Sequence, residues 1–162
     1  MDNIRHYVFQ DDLELGILYE QKFCKTLSHP QQMHGYFPDY DVIDKATNRT
    51  YEIKRDRWYQ TTGNILIEEY YNLETLQPGW IYYSKADYLV VYVSDTDYYI
   101  CPMATVKQEF INRRELWTVK DIIQDSGFIT RNWVRPLDTV IFKARFHSAL
   151  NENTSTEVSD WM

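Results

Sequence analysis

Apolar and polar positions change period several times along this chain, and each change marks an element. Over residues 11–28, Leu13, Ile17, Cys24 and Leu27 recur at helical spacing, with Phe23 at the edge of the stripe. Asp11 or Asp12 serves as the N-cap and His29-Pro30 ends the helix. At about 100° per residue, Glu20 falls near the middle of that stripe. Shorter runs rich in β-branched and aromatic residues follow. They predict strands over 40–44, 50–56, 65–71, 87–94 and 98–101. The first two read as a hairpin around a turn at 45–49, and the last two as a hairpin joined at Asp95-Thr96-Asp97. A basic, aromatic loop separates 50–56 from 65–71, and residues 72–84, with Pro78-Gly79, read as a second loop. Helical spacing returns over 104–113 and 119–124, and the apolar run 139–142 reads as a last strand or an extended arm.

This order is that of an α+β (mixed α/β) fold with a central mixed sheet flanked by helices. At 162 residues, 44% of them hydrophobic, the chain suits one well-buried core. We assign a single domain to 1–147 and a flexible acidic tail to 148–162, rich in Asn, Thr, Ser and Glu. Fourteen tyrosines against five glycines favour strands and amphipathic aromatic surfaces. No apolar run approaches membrane-spanning length, and the N-terminus lacks the pattern of a secretory signal. Cys24 and Cys101 have no neighbours at metal-ligand spacing and read as core thiols of a cytoplasmic protein.

The chemistry concentrates in Asp39-Tyr40-Asp41-Val42-Ile43-Asp44 and Tyr51-Glu52-Ile53-Lys54. Residues i and i+2 of a strand share a face, so Glu52 and Lys54 project together, and the hairpin brings Asp41 to the same face. Two acids and a lysine there can hold a divalent cation and position a water for metal-assisted hydrolysis of a phosphodiester. Asp39 shares parity with Asp41, so either could face the metal. Asp41 is nearer the pairing partner of Glu52, which leaves Asp39 to cap the turn after Pro38. A surface Glu52–Lys54 ion pair, contributing at most ~1 kcal/mol, is the plain alternative. Glu20, facing the core, is either an acid of the same site or half of a buried ion pair.

Pro38-Asp39-(Tyr40-)Asp41, ten intervening residues and Glu52-Ile53-Lys54 resemble the signature of the PD-(D/E)XK nuclease superfamily. Further pieces follow in the expected order: a helix with Glu20 upstream, then Gly63-Asn64-Ile65-Leu66-Ile67-Glu68, then Ser84-Lys85-Ala86-Asp87. The arrangement looks like the compact single-domain members found in phages and archaeal viruses, which would place the protein in the host cytoplasm. The resemblance spans roughly residues 11–101, about one small domain. It implies a restriction-endonuclease-like core and a deoxyribonuclease dependent on Mg²⁺ or Mn²⁺, an endonuclease in preference to an exonuclease. Asp41, Glu52, the Ile53 carbonyl and Glu68 would hold metal, Lys54 would assist the water, and Glu20 would support from the first helix. Lys85 would touch substrate phosphate, and a homodimer would be needed only if both strands are cut.

The loop Arg55, Arg57, Trp58 and Tyr59 mixes cations and rings, which suits either a substrate wall for DNA or a hydrophobic loop packed on the sheet. Glu69 alternates away from Glu68 and reads as solvated. A net charge of −7 counts against a nucleic-acid partner. Glu152, Glu157 and Asp160 of the tail account for three of those charges, and a bound cation would cancel others. Two rivals remain. One is a non-catalytic nucleic-acid- or protein-binding protein, such as a viral anti-defence factor, on the same scaffold. The other is an interaction protein whose Asp41 and Glu52 stand far apart. Phosphate-binding glycine loops, dinucleotide fingerprints and Ser or Cys nucleophile motifs are lacking.

Overall fold

The computed structural model describes residues 9–148, and the tail assigned from sequence lies almost wholly outside the described residues. A helix, α1 (Phe9–Cys24), leads into β1 (Pro30–Gln32), β2 (Val42–Asp44) and β3 (Arg49–Arg55). A one-turn helix α2 (Tyr59–Thr62), β4 (Asn64–Asn72), β5 (Gln77–Pro78) and a second one-turn helix α3 (Trp80–Tyr83) follow. The chain continues through β6 (Tyr88–Tyr92), β7 (Asp97–Pro102), α4 (Met103–Asn112), β8 (Thr118–Ile123), β9 (Ile129–Pro136) and β10 (Arg145–Ser148). The fold is α+β. One mixed sheet runs β1-β2-β3-β6-β7-β10 and a second, antiparallel sheet runs β5-β4-β9-β8. No helix among the described residues is long and apolar enough to cross a membrane.

The first sheet owes its centre to Tyr88-Leu89-Val90-Val91-Tyr92, buried at every position. A strand covered on both faces reads as a continuous apolar run rather than an alternating one. It pairs parallel to β3, with Glu52 opposite Leu89 and Lys54 opposite Val91, and antiparallel to β7. Tyr51, Ile53, Tyr88, Val90, Tyr92, Tyr98 and Ile100 pack beneath α1. Leu89, Val91 and Cys101 face the other way, toward α3, α4 and the second sheet. The Phe23 ring lies 4.8 Å from Tyr51 and 5.8 Å from Tyr98, edge-on to each. Such pairs add about 0.5–1.5 kcal/mol beyond the buried area.

Several sequence expectations change here. The buried stripe of α1 centres on Tyr19 and Phe23, whereas Leu13 and Ile17 are exposed, so Glu20 sits at the rim of the packed face. Residues 119–124 form strand β8, not a helix. Val119, Ile122 and Ile123 have helical spacing by coincidence on an edge strand with little buried surface, and pairing with β9 decides its conformation. Strand β9 carries no alternating signal because both of its faces meet polar partners. Residues 139–142 form a turn that inserts the fully buried Phe142 into the core, and the last strand begins at Arg145. The expected loop 72–84 contains β5 and α3. Glu69 is buried, not solvated. It accepts hydrogen bonds from the Tyr82 hydroxyl (2.6 Å), Trp133 Nε1 (2.9 Å) and Arg114 Nη1 (3.2 Å).

Candidate active site

The β2–β3 hairpin sets the first contacts. Val42 pairs with Tyr51, which brings Asp41 across from Glu52. The Asp41 backbone N–H donates to the Tyr51 carbonyl at 2.9 Å, and its Oδ2 accepts the Ile53 N–H at 2.8 Å. The side chain thus takes over a ladder bond where β2 is only beginning, which locks its rotamer. Glu52 is only 2% exposed. Lys54 Nζ lies 3.3 Å from Glu52 Oε1, and the Asp41 charge acts on the same carboxyl group. The Lys54 ammonium also sits 5.9 Å from the centre of the Trp80 ring.

Like charges in a dry place shift the titration of this group. Burial lifts the Glu52 carboxyl well above the usual carboxylate range; the Lys54 charge opposes the shift and Asp41 reinforces it. Burial works to discharge Lys54, but Glu52 and Asp41 outweigh it and hold the ammonium above its ordinary value. Glu20 is pushed up to about 7, first by burial and then by the Asp41 charge, against a 2.8 Å hydrogen bond from Gln32 Nε2. Burial likewise raises Glu68, which Lys54 and the Trp80 backbone N–H oppose. The Tyr83 hydroxyl, pushed up to about 12 chiefly by burial, faces the same charges.

A cleft of about 430 Å³ opens over this centre. Glu20, Asp41, Ile53, Lys54 and Glu68 line it, as do Arg55, Arg57 and Trp58. Glu52 lies behind Asp41 and Lys54, beneath the lining. Lys85 is not part of the cleft. Its side chain is 76% exposed and its Nζ lies 3.8 Å from Asp39 Oδ1, which leaves Asp41 as the acid of the centre. Arg55 reaches the cleft, but its Nε donates to the Tyr19 hydroxyl (3.1 Å) and its Nη1 to the Asp56 carbonyl (2.8 Å). It therefore braces α1 against β3. Asp56 Oδ1 accepts the N–H groups of Trp58 (2.9 Å) and Tyr59 (3.1 Å), fixing the turn that displays Trp58.

Other parts of the site were invisible in sequence. Leu66, Ile122, Gln124, Thr130 and Asn132 of the second sheet and its hairpin form the opposite wall. Lys107 of α4 donates to the Ser84 carbonyl and feels the Glu52 charge from behind. The position of β9 in the chain gave no hint that it would pair with β4 and bring β8 with it, because that pairing joins residues far apart.

Among the described residues, no three His, Cys, Asp or Glu side chains converge as a metal cluster. Asp41 and Glu52 are brought together and Glu68 stands apart. The pair still fits a hard divalent cation. Two touching carboxylates beside a single ammonium lack positive charge, and Mg²⁺ commonly takes one or two carboxylates with water and substrate oxygens. No protein-family model, curated protein or solved structure matches the chain.

Glu20 titrates near 7 in the folded protein and Glu52 is raised in the same direction, both above the unfolded value of 4.5. The folded state then binds more protons than the unfolded state between those limits, so its stability is greatest in acid and falls as pH rises. Without divalent cation, the melting temperature is expected to drop between about pH 5 and pH 8. Adding Mg²⁺ or Mn²⁺ at the upper pH should restore it, because cation binding needs the deprotonated acids. Differential scanning fluorimetry across that range checks both signs, and a flat profile contradicts the assignment.

Proposed function

We propose that this protein is a metal-dependent nuclease that hydrolyses DNA phosphodiester bonds with an activated water. The observation that carries the reading is the meeting of the half-buried Asp41 and Lys54 with the buried Glu52 at the floor of an open cleft. The motif spacing selects the same three residues. The mixed sheet, with α1 ahead of a β1-β2-β3 meander and β6 parallel to β3, supports the expected restriction-endonuclease-like core.

Asp41 and Glu52 would hold Mg²⁺ or Mn²⁺ with the Ile53 carbonyl, while Glu68 lines the same cleft apart from the pair. Bound there, the ion supplies Lewis-acid chemistry for phosphodiester hydrolysis. Lys54, held charged by its two carboxylate neighbours, stabilises negative charge developing on the phosphoryl oxygens and orients the attacking water. Glu52 fixes the Lys54 ammonium by its ion pair, and the Ile53 N–H fixes Asp41. Glu20 would support the centre from the first helix at the cleft rim, its carboxylate held by Gln32 Nε2.

Linear and circular DNA, single- and double-stranded, incubated with Mg²⁺, Mn²⁺ or EDTA, test the proposal beside Glu52→Gln. Cutting that needs the metal and vanishes in the variant is expected, and cutting of circles makes the enzyme an endonuclease. Cutting of both strands of a duplex would call for a dimer. Equal cutting by the variant would remove Glu52 from the chemistry. Binding of DNA without cutting would favour the non-catalytic alternative.

A further inference from the structure

The two long walls of the cleft differ in chemistry, and the difference bears on its substrate. One wall carries Trp58, 44% exposed and held by the Asp56 turn, and Arg57. The wall contributed by the second sheet, Glu68 apart, carries no charge: Leu66 and Ile122 are apolar, and Gln124, Thr130 and Asn132 are polar. On it the Thr130 hydroxyl accepts Asn132 Nδ2 at 3.0 Å and Gln124 Nε2 at 3.2 Å, and donates to the Ile122 carbonyl at 3.4 Å. That hydroxyl fixes both amides in place. Each amide has a carbonyl and a second N–H beyond that bond. Asn132 stands directly across the ladder from Glu68, so this wall joins the floor that carries Lys54.

A phosphate would be met by cations, not by neutral amides. Amides in a fixed orientation suit the edge of a nucleobase, where Asn and Gln pair with donor and acceptor together. The exposed Trp58 ring and the Arg57 guanidinium of the same cleft suit its face. The cleft volume, about 430 Å³, lies in the range of roughly 300–1,000 Å³ that encloses one small organic molecule. A base enters such a site only after leaving the stack. Resting on the nuclease reading, we infer that the substrate is single-stranded: one unpaired nucleotide binds with its base stacked on Trp58 and its edge at the Gln124–Thr130–Asn132 wall, its phosphate at Lys54.

The test separates binding from cutting. Fluorescence anisotropy in EDTA follows fluorescein-labelled 12-nucleotide dA, dC and dT strands and a mixed-sequence duplex. The full-length protein is compared with Trp58→Ala, Gln124→Ala and Asn132→Ala. Single strands are expected to bind at least tenfold more tightly than duplex. Trp58→Ala is expected to weaken every strand by roughly tenfold, the scale of one lost stacking contact. Gln124→Ala is expected to change the order of preference among the three strands. Asn132 is buried and its variant could misfold, whereas Gln124 and Trp58 lie nearer the surface and keep the test decisive. Duplex bound as tightly as single strands, no binding of any strand, or unchanged affinity and base order in both surface variants overturns the inference. Cutting assays with Mg²⁺ run in parallel. Duplex cut as readily as single strands overturns the inference while the nuclease reading stands. Selective binding of single strands without cutting keeps the base site and refutes the nuclease.

Discussion

Lys54→Ala is expected to reduce metal-dependent DNA cleavage by roughly 10²–10³-fold, the usual cost of losing one preorganised group that stabilises developing charge. The effect follows from where the ammonium sits. It is the partner of the Glu52 carboxylate at 3.3 Å, and the negative charge of Asp41 lies beside it. Removing it leaves two acids in contact with nothing to offset them, so Glu52 retains its proton to higher pH. The residual activity should shift toward alkaline pH. Lys54→Arg keeps the charge but replaces a compact ammonium by a planar fork, and is expected to recover only part of the rate. Single-turnover cleavage rates over a pH series, with circular dichroism to confirm folding, read both effects. Wild-type rates in Lys54→Ala would exclude Lys54 from the reaction.

Gly79→Ala is expected to give the largest loss of stability from adding one methyl group. Gly79 has an ordinary extended backbone, with φ −83° and ψ 178°, so conformation is not the reason for glycine there. Space is. A Cβ would lie 2.4 Å from the Glu68 carbonyl oxygen, 2.7 Å from the Glu68 carbonyl carbon and 2.8 Å from its Cγ. The Gly79 N–H donates to the Glu69 carbonyl at 2.8 Å, so neither backbone can withdraw without breaking that bond. Overpacking of this kind costs about 1–3 kcal/mol. Because the clash falls on Glu68, cleavage should fall with stability. Gly16→Ala in α1, where a Cβ meets nothing within 4 Å, should instead raise stability by up to ~1 kcal/mol. Thermal melts of both variants provide the comparison, and a neutral Gly79→Ala would show that β4 and α3 can part freely.

The sequence by itself carried the local half of the protein. The hairpin of β2 and β3, the hairpin of β6 and β7, the presence of α1 and the extent of α4 were legible, although α1 runs Phe9–Cys24 and stops one turn before the end read at residue 28. The reason is that their determinants are short-range. These are a turn, a period or an uninterrupted apolar run, as in Tyr88–Tyr92. The facing of Asp41, Glu52 and Lys54 was legible for the same reason, since strand parity and a four-residue turn fix it. The second sheet was not legible. Its β9 strand reads Ile-Thr-Arg-Asn-Trp-Val-Arg-Pro, with no alternation, because Thr130 and Asn132 answer to the cleft while Trp133 and Arg135 answer to Glu69 and Glu109. Only tertiary contact reveals such a pattern as that of a strand.

Burial was likewise decided in three dimensions. Glu69 appeared solvated by alternation, yet Tyr82, Arg114 and Trp133 converge from three other segments to satisfy it inside the core. Lys85 matched a motif position, but its side chain leaves the site for Asp39. Phe142 belonged to an apolar run that looked extended, and a turn delivers it to the core between Trp117 and Arg135. In each case the deciding free energy comes from partners distant in the chain, through desolvation, ion pairing and packing. A linear pattern records which residues can take part in such contacts; only the folded chain determines which of them meet.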